Sequence, residues 1–126
     1  MAEYRTYQPR ITCGTIYDGA FGRGDYPYNH MVSLARFHDA FCAVWGANAA
    51  TNIEGRSGQT VVVSWSKNFV DWTPPESILD PSMSEAVLEM SEQILWQPEL
   101  LALSEEQLLC FWSLGKEPCT RQDMPG

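Results

Sequence analysis

The sequence predicts an all-β chain, a partial β-propeller of about one and a half four-stranded antiparallel blades. Three observations lead there. Short runs rich in Val, Ile, Thr and aromatic residues follow one another, punctuated by turn residues, from residue 10 to residue 79. The last of these runs carries Pro74 and Pro75, which cannot donate to a ladder and so confine it to a sheet edge. The pattern then restarts, with Trp112 falling 67 residues after Trp45 (112 − 45).

Residues 10–17, with Ile11, Cys13 and Ile16 among threonines, predict a short strand that Asp18-Gly19 ends. Residues 19–29 are then a loop, and Gly22, Gly24, Pro27 and three aromatic residues mark it as packed by its own rings. Residues 31–37 and 41–45 are apolar runs separated by His38-Asp39-Ala40, the spacing of a hairpin. The second run is nearly continuous in apolar residues, as in a strand buried on both faces. Residues 46–58, rich in Ala, Asn and Gly, form a long connection. Residues 60–65 follow as a third strand, in which Val61, Val62 and Val63 favour extended backbone. Residues 66–72 turn the chain, and residues 73–79 complete the first blade, which spans 28–79. The 67-residue offset also sets Gln97 over His30, Leu101 over Leu34, Ala102 over Ala35 and Leu108 over Phe41. Residues 96–113 therefore read as the first two strands of a second blade, with 114–126 a tail. A helical period competes locally. Val87, Met90 and Ile94 predict a short helix near residues 83–93, and Ser104 followed by Gln107 has the form of a capping box. On that competing reading the chain is an α+β domain with two C-terminal helices.

At 126 residues the chain has room for a single domain with a hydrophobic core. Eight Lys and Arg against sixteen Asp and Glu leave a net charge of −8. Such a field repels phosphate backbones and anionic lipid, which excludes nucleic acid and membrane surfaces as expected partners. No apolar run approaches the roughly 20 residues that cross a bilayer, and Met-Ala-Glu-Tyr-Arg has no apolar leader, so a soluble cytoplasmic protein is expected. Cys13, Cys42, Cys110 and Cys119 form no close pair, and neither His30 nor His38 stands at zinc-ligand spacing from them. No metal or other cofactor is expected. Cys42 and Cys110 lie inside apolar runs and read as buried thiols.

The segment Tyr28-Asn29-His30-Met31-Val32-Ser33-Leu34-Ala35, followed by Phe41-Cys42-Ala43-Val44-Trp45, resembles the first inner strands of the sialidase-like propeller family. Gly58-Gln59-Thr60-Val61-Val62-Val63-Ser64 resembles the third strand of such a blade, and Trp96-Gln97-Pro98-Glu99-Leu100 the approach to the next. Residues 66–72 are similar to an Asp-box shortened by one residue, without its Gly and with Asn68 at the usual Asp position. The resemblance implies that Asn68 bonds amides of its own turn and that Trp72 fills the gap between sheets.

In a propeller the loops entering the inner strands, and those joining second to third strands, line the ligand-binding mouth. The ligand-contact candidates are accordingly Tyr28, Asn29 and His30, Trp96 and Gln97, and Asn52, Glu54 and Arg56. Aromatic faces among amides and carboxylates suit a carbohydrate or similar polyhydroxylated small molecule. The resemblance would also imply a carboxylate-gripping arginine before the first inner strand, but that place reads Asn29-His30-Met31. An Asp nucleophile is missing there too, since Asp25 lies upstream, so hydrolysis of sialic acid is not expected. No catalytic residue is assigned beyond His30 and Glu54, which stand as acid or base in an alternative reading, a non-hydrolytic enzyme or accessory protein of small-molecule biosynthesis. A further alternative is an inactive, truncated interaction protein, using open sheet edges for self-association or partner strands.

Overall fold

The computed structural model describes residues 9–19, 25–78 and 94–115. All regular structure among them is β: β1 (Tyr28–Phe37), β2 (Ala40–Asn48), β3 (Thr60–Ser66), β4 (Glu76–Ser77), β5 (Ile94–Ala102) and β6 (Leu108–Gly115). They form a four-stranded sheet in the order β1-β2-β3-β4 and a two-stranded sheet β5-β6. Every pairing is antiparallel. The arrangement is consistent with one complete blade and the first half of the next in a partial propeller-like fragment.

Residues 10–17 form no strand, contrary to expectation. Instead Ile16 and Tyr17 lie across the large sheet and cover its outer face. Gly19 then lets the chain pass close to β1, because a Cβ there would strike the Tyr26 carbonyl and the Asn29 amide. Residues 20–24 of the expected loop lie outside the described residues, and Tyr26 meets Tyr17, which precedes the loop, edge to face at 6.4 Å. The fourth strand shrinks to two residues paired with Val62 and Val63. The prolines before it explain this, since neither offers an N–H to β3. The predicted helix near 83–93 and the 116–126 tail lie outside the described residues. Ser104 opens no helix, because Leu103 N–H donates to the Gln107 carbonyl at 2.9 Å and closes a hairpin turn.

Strand β2 is buried on both faces, as its apolar run foretold. Cys42 and Val44, with Val61 and Leu95, form the core between the two sheets, joined by Leu100, Leu108, Cys110 and Trp112. On the opposite face Ala43, Trp45, Ala47 and Val62 pack against Ile16, Tyr17, Tyr26 and Trp72. Trp72 therefore covers the outer face rather than filling the space between the described sheets. Its turn is closed as expected: Asn68 Oδ1 accepts from Val70 N at 2.9 Å and Asp71 N at 2.8 Å, while Ser66 Oγ accepts from Phe69 N.

The two hairpins are structural repeats with a register finer than the single 67-residue offset. In β1 the pairing slips between His30 and Ser33, and in β5 between Trp96 and Glu99. Met31 (φ 59°) and Gln97 (φ 46°) occupy the left-handed region at the two slips. First strands thus correspond 66 residues on (30 to 96, 31 to 97, 33 to 99), and second strands 67 on (44 to 111, 46 to 113). Gln97 matches Met31 and not His30, and Leu100 rather than Leu101 matches Leu34. The added residue is in the turn, where Ser104, Glu105 and Glu106 replace His38 and Asp39.

A buried glutamine pins the sheets together. Gln59 Nε2 donates to the Leu95 carbonyl at 2.9 Å, Leu95 N–H donates to the Gln59 carbonyl, and Gln59 Oε1 accepts from Gly55 N at 2.9 Å. Gln59→Leu keeps the side chain's bulk but leaves two buried partners unpaired, and should lower unfolding free energy by about 2–3 kcal/mol in urea titration. Burial pushes the Cys42 thiol up to about 12, with Cys110 adding to the rise. Because this pKa is raised above its ordinary 9.0, the associated stability is complete below pH 9 and lost as pH climbs toward about 12. Peptide-level alkylation of the native protein at neutral pH should therefore label exposed Cys13 and spare Cys42, which reacts only on unfolding.

Candidate functional site

The bulge in β1 sets the site. Two residues, Met31 and Val32, stand opposite Trp45 where one would normally pair. The extra residue keeps His30 and Ser33, three apart, on the same face of the sheet. Tyr28 precedes them on that face, and Asn29 points to the other.

Glu54 arrives from the 49–59 loop, which two buried amides hold. Asn48 Nδ2 donates to the carbonyls of Arg56 and Ser57 at 3.2 and 3.1 Å, and its Oδ1 accepts from Ala50 N at 2.8 Å. Gln59 fixes Gly55, whose φ of 70° turns the chain just after Glu54. The carboxylate so placed lies 3.2 Å from His30 Nδ1 and accepts the Tyr28 hydroxyl. The Tyr28 and His30 rings stand edge to face, 6.2 Å apart. With Glu54 accepting both bonds, Nδ1 carries a proton, and in the neutral ring Nε2 is then an acceptor.

Partial burial, then the charge of Glu54 and its hydrogen bond, push the Tyr28 phenol up to about 12. Tyr28 at neutral pH is therefore a hydroxyl donor and no phenolate nucleophile. Side chains of His30 and Glu54 are about half exposed (52% and 44%), so water or a ligand hydroxyl reaches them.

Beside His30 opens a cleft of about 380 Å³ walled by Ile16, Tyr17, Asn29, His30, Met31, Val32 and Trp45. The Tyr17 and Trp45 rings lie 6.0 Å apart in it. Across the bulge a second cleft of about 410 Å³ runs between Met31 and Val32 on one side and Gln97, Pro98, Glu99 and Phe111 on the other. Ser33 Oγ ties β1 to β5 there, donating to Glu99 Oε2 of the cleft wall at 3.2 Å and accepting from Leu100 N at 3.1 Å.

The expected residues therefore divide. Tyr28, His30 and Glu54 come together, and Gln97 lines the second cleft. Asn29 is occupied structurally, its Oδ1 accepting from Trp45 Nε1 and its Nδ2 donating to the Tyr26 carbonyl, both at 2.7 Å. Asn52 is exposed on the loop, and Arg56 contributes its backbone carbonyl to the Asn48 and Gln59 bonds. Trp96 lies over Gly115, where a Cβ would meet its Nε1 at 2.6 Å. It stands at the position equivalent to His30 and lines neither of the two clefts. Tyr17 and Trp45, absent from the expected set, form the cleft's aromatic wall. The aromatic density of residues 17–28 was their only sequence signal.

Among the described residues no three His, Cys, Asp or Glu side chains gather to hold a metal ion, and no helix is long and apolar enough to cross a membrane. Comparison with protein-family models, curated proteins and solved structures returns no match.

Glu54→Gln removes the charge that raises the Tyr28 phenol. Ultraviolet titration should then show one tyrosine moving from about 12 toward the ordinary 10.0. Since the native pKa is the raised one, the associated stability is complete below pH 10 and fades toward about 12, and the variant, in which burial still raises the phenol, should show a smaller alkaline loss.

Proposed function

We propose that this chain is a segment of a sialidase-like propeller that binds a carbohydrate or similar polyhydroxylated small molecule at the bulged edge of β1. The observation that carries the reading is the Tyr28, His30 and Glu54 cluster, whose His30 also borders the Tyr17 and Trp45 cleft on the other side of the β1 edge. A hydroxyl donor, an imidazole acceptor and a carboxylate, next to aromatic carbon, match the alternating polar and apolar faces of a sugar ring. The self-bonded Asn68 turn supports the family resemblance, because it does with an amide what an Asp-box does with a carboxylate.

Charge narrows the ligand class. Glu54 bonds His30 at the cleft's edge, and among the described residues that wall the cleft there is no guanidinium. An acidic sugar would meet repulsion there, whereas a neutral or amino sugar would not. The His30–Glu54 bond favours a second reading, in which His30 Nε2 serves as a base in small-molecule biosynthesis. Tyr28 with its raised pKa takes the part of a donor in either case.

Ligand-observed NMR against neutral, amino and acidic sugars and a set of polycyclic compounds tests both. Binding of neutral or amino sugars, weakened roughly tenfold by His30→Ala and by Glu54→Gln, is the expected result. Binding confined to polycyclic compounds would transfer the site to the second reading, and a flat response to every glycan removes the first.

A further inference from the structure

The correspondence between the hairpins defines how they pack. Hairpin β1-β2 turns the face bearing Cys42 and Val44 toward β5-β6. Hairpin β5-β6 answers with Cys110 and Trp112, which correspond to Ala43 and Trp45 and thus to the opposite face of the first hairpin. The contact is head to tail: the front of one repeat lies on the back of the next. The front of the second repeat, equivalent to Cys42, Val44 and Ala35, is built of Leu109, Phe111 and Leu101. It is open at the end bearing Leu101 (49% exposed) and Phe111 (52%), whereas Ile94 at the other end of the same face is buried.

The complementary surface is present elsewhere in the chain. Ala43, Trp45 and Ala47 form the back of the first repeat, where Tyr26 and Trp72 also pack, and the chain's own Ile16 and Tyr17 cover them where a preceding repeat's front would lie. That cover consists of an irregular segment held by the Tyr17–Trp45 ring contact and a bond from Tyr26 N to the Tyr17 hydroxyl. Irregular chain buries less of a flat sheet face than a second sheet does, so it is the displaceable member of the pair.

We propose that the open front of β5-β6, carrying Leu101 and Phe111, docks a second copy of this chain through that copy's Ala43, Trp45 and Ala47, in place of the copy's Ile16 and Tyr17 cover. The contact is heterologous, so each added copy offers the same front again, and growth ends only where a ring closes. It needs no ligand at the Tyr28 cluster, but it occupies the Tyr17 and Trp45 cleft, so a docked copy and a ligand in that cleft exclude one another.

Sedimentation velocity of the full chain over a wide concentration range tests it. The expected result is concentration-dependent association, lost in Phe111→Glu and in Leu101→Glu at concentrations where the unsubstituted chain associates. Both positions are half exposed, so the variants should keep the far-ultraviolet circular dichroism of the parent; if one unfolds, the other decides. Tyr17→Ala loosens the cover and should move the association midpoint about fivefold lower in concentration. A chain that stays monomeric throughout, association that survives both glutamate substitutions, or an unmoved or higher midpoint in Tyr17→Ala overturns the proposal.

Discussion

The side chain of Gln59 is the constraint on which the rest of the molecule depends. One amide group, 3% exposed, satisfies a loop N–H on one side and a carbonyl of the other sheet on its far side. Buried amides are expensive unless every lone pair and proton finds a partner. Here the partners are Gly55 and Leu95, so meeting the cost of burial also sets where the 49–59 loop turns and where β5 begins. Glu54 reaches His30 and Tyr28 because of the first bond. The inter-sheet core of Cys42, Val44, Val61 and Leu95 closes because of the second.

The bulge performs a comparable task along β1. A regular strand would send His30 and Ser33 to opposite faces, separating the ligand-facing cluster from the residue that ties β1 to β5. Inserting one residue, at the price of a left-handed methionine, puts both on the face toward the second sheet. The second hairpin repeats the device at Gln97, and the bulged positions meet where Ser33 bonds Glu99. Repetition of an unfavourable backbone conformation at equivalent places is stronger evidence of a repeat than apolar residues that recur.

Much of the fold was legible because it rests on local chemistry. Three valines, two prolines and a nearly unbroken apolar run identify a third strand, an edge and a central strand without knowledge of their neighbours. The turn at Asn68 was legible for the same reason, as its bonds stay within four residues. The repeat was visible only approximately, since side-chain matching cannot locate a one-residue insertion that the ladder resolves at once. Residues 10–17 misled because strand propensity measures fitness for a half-buried surface, and Ile16 with Tyr17 meets that condition by lying on a sheet instead of joining one. Of the site, Tyr28, His30 and Glu54 were named from their loops. Trp96, named with them, lies over Gly115 in the second sheet.

The sequence by itself determined the β character, the strand succession through the first sheet, the buried thiol at Cys42 and the acidic surface. Each follows from residue type and short spacing. Only tertiary structure decided that Glu54 meets His30 across 24 residues, that Asn29 is spent on Trp45, and that one face of β5-β6 is open while its equivalent is covered. Those outcomes turn on the register of two ladders and on one buried amide, interactions between residues far apart in the chain whose energies depend on distance and not on composition.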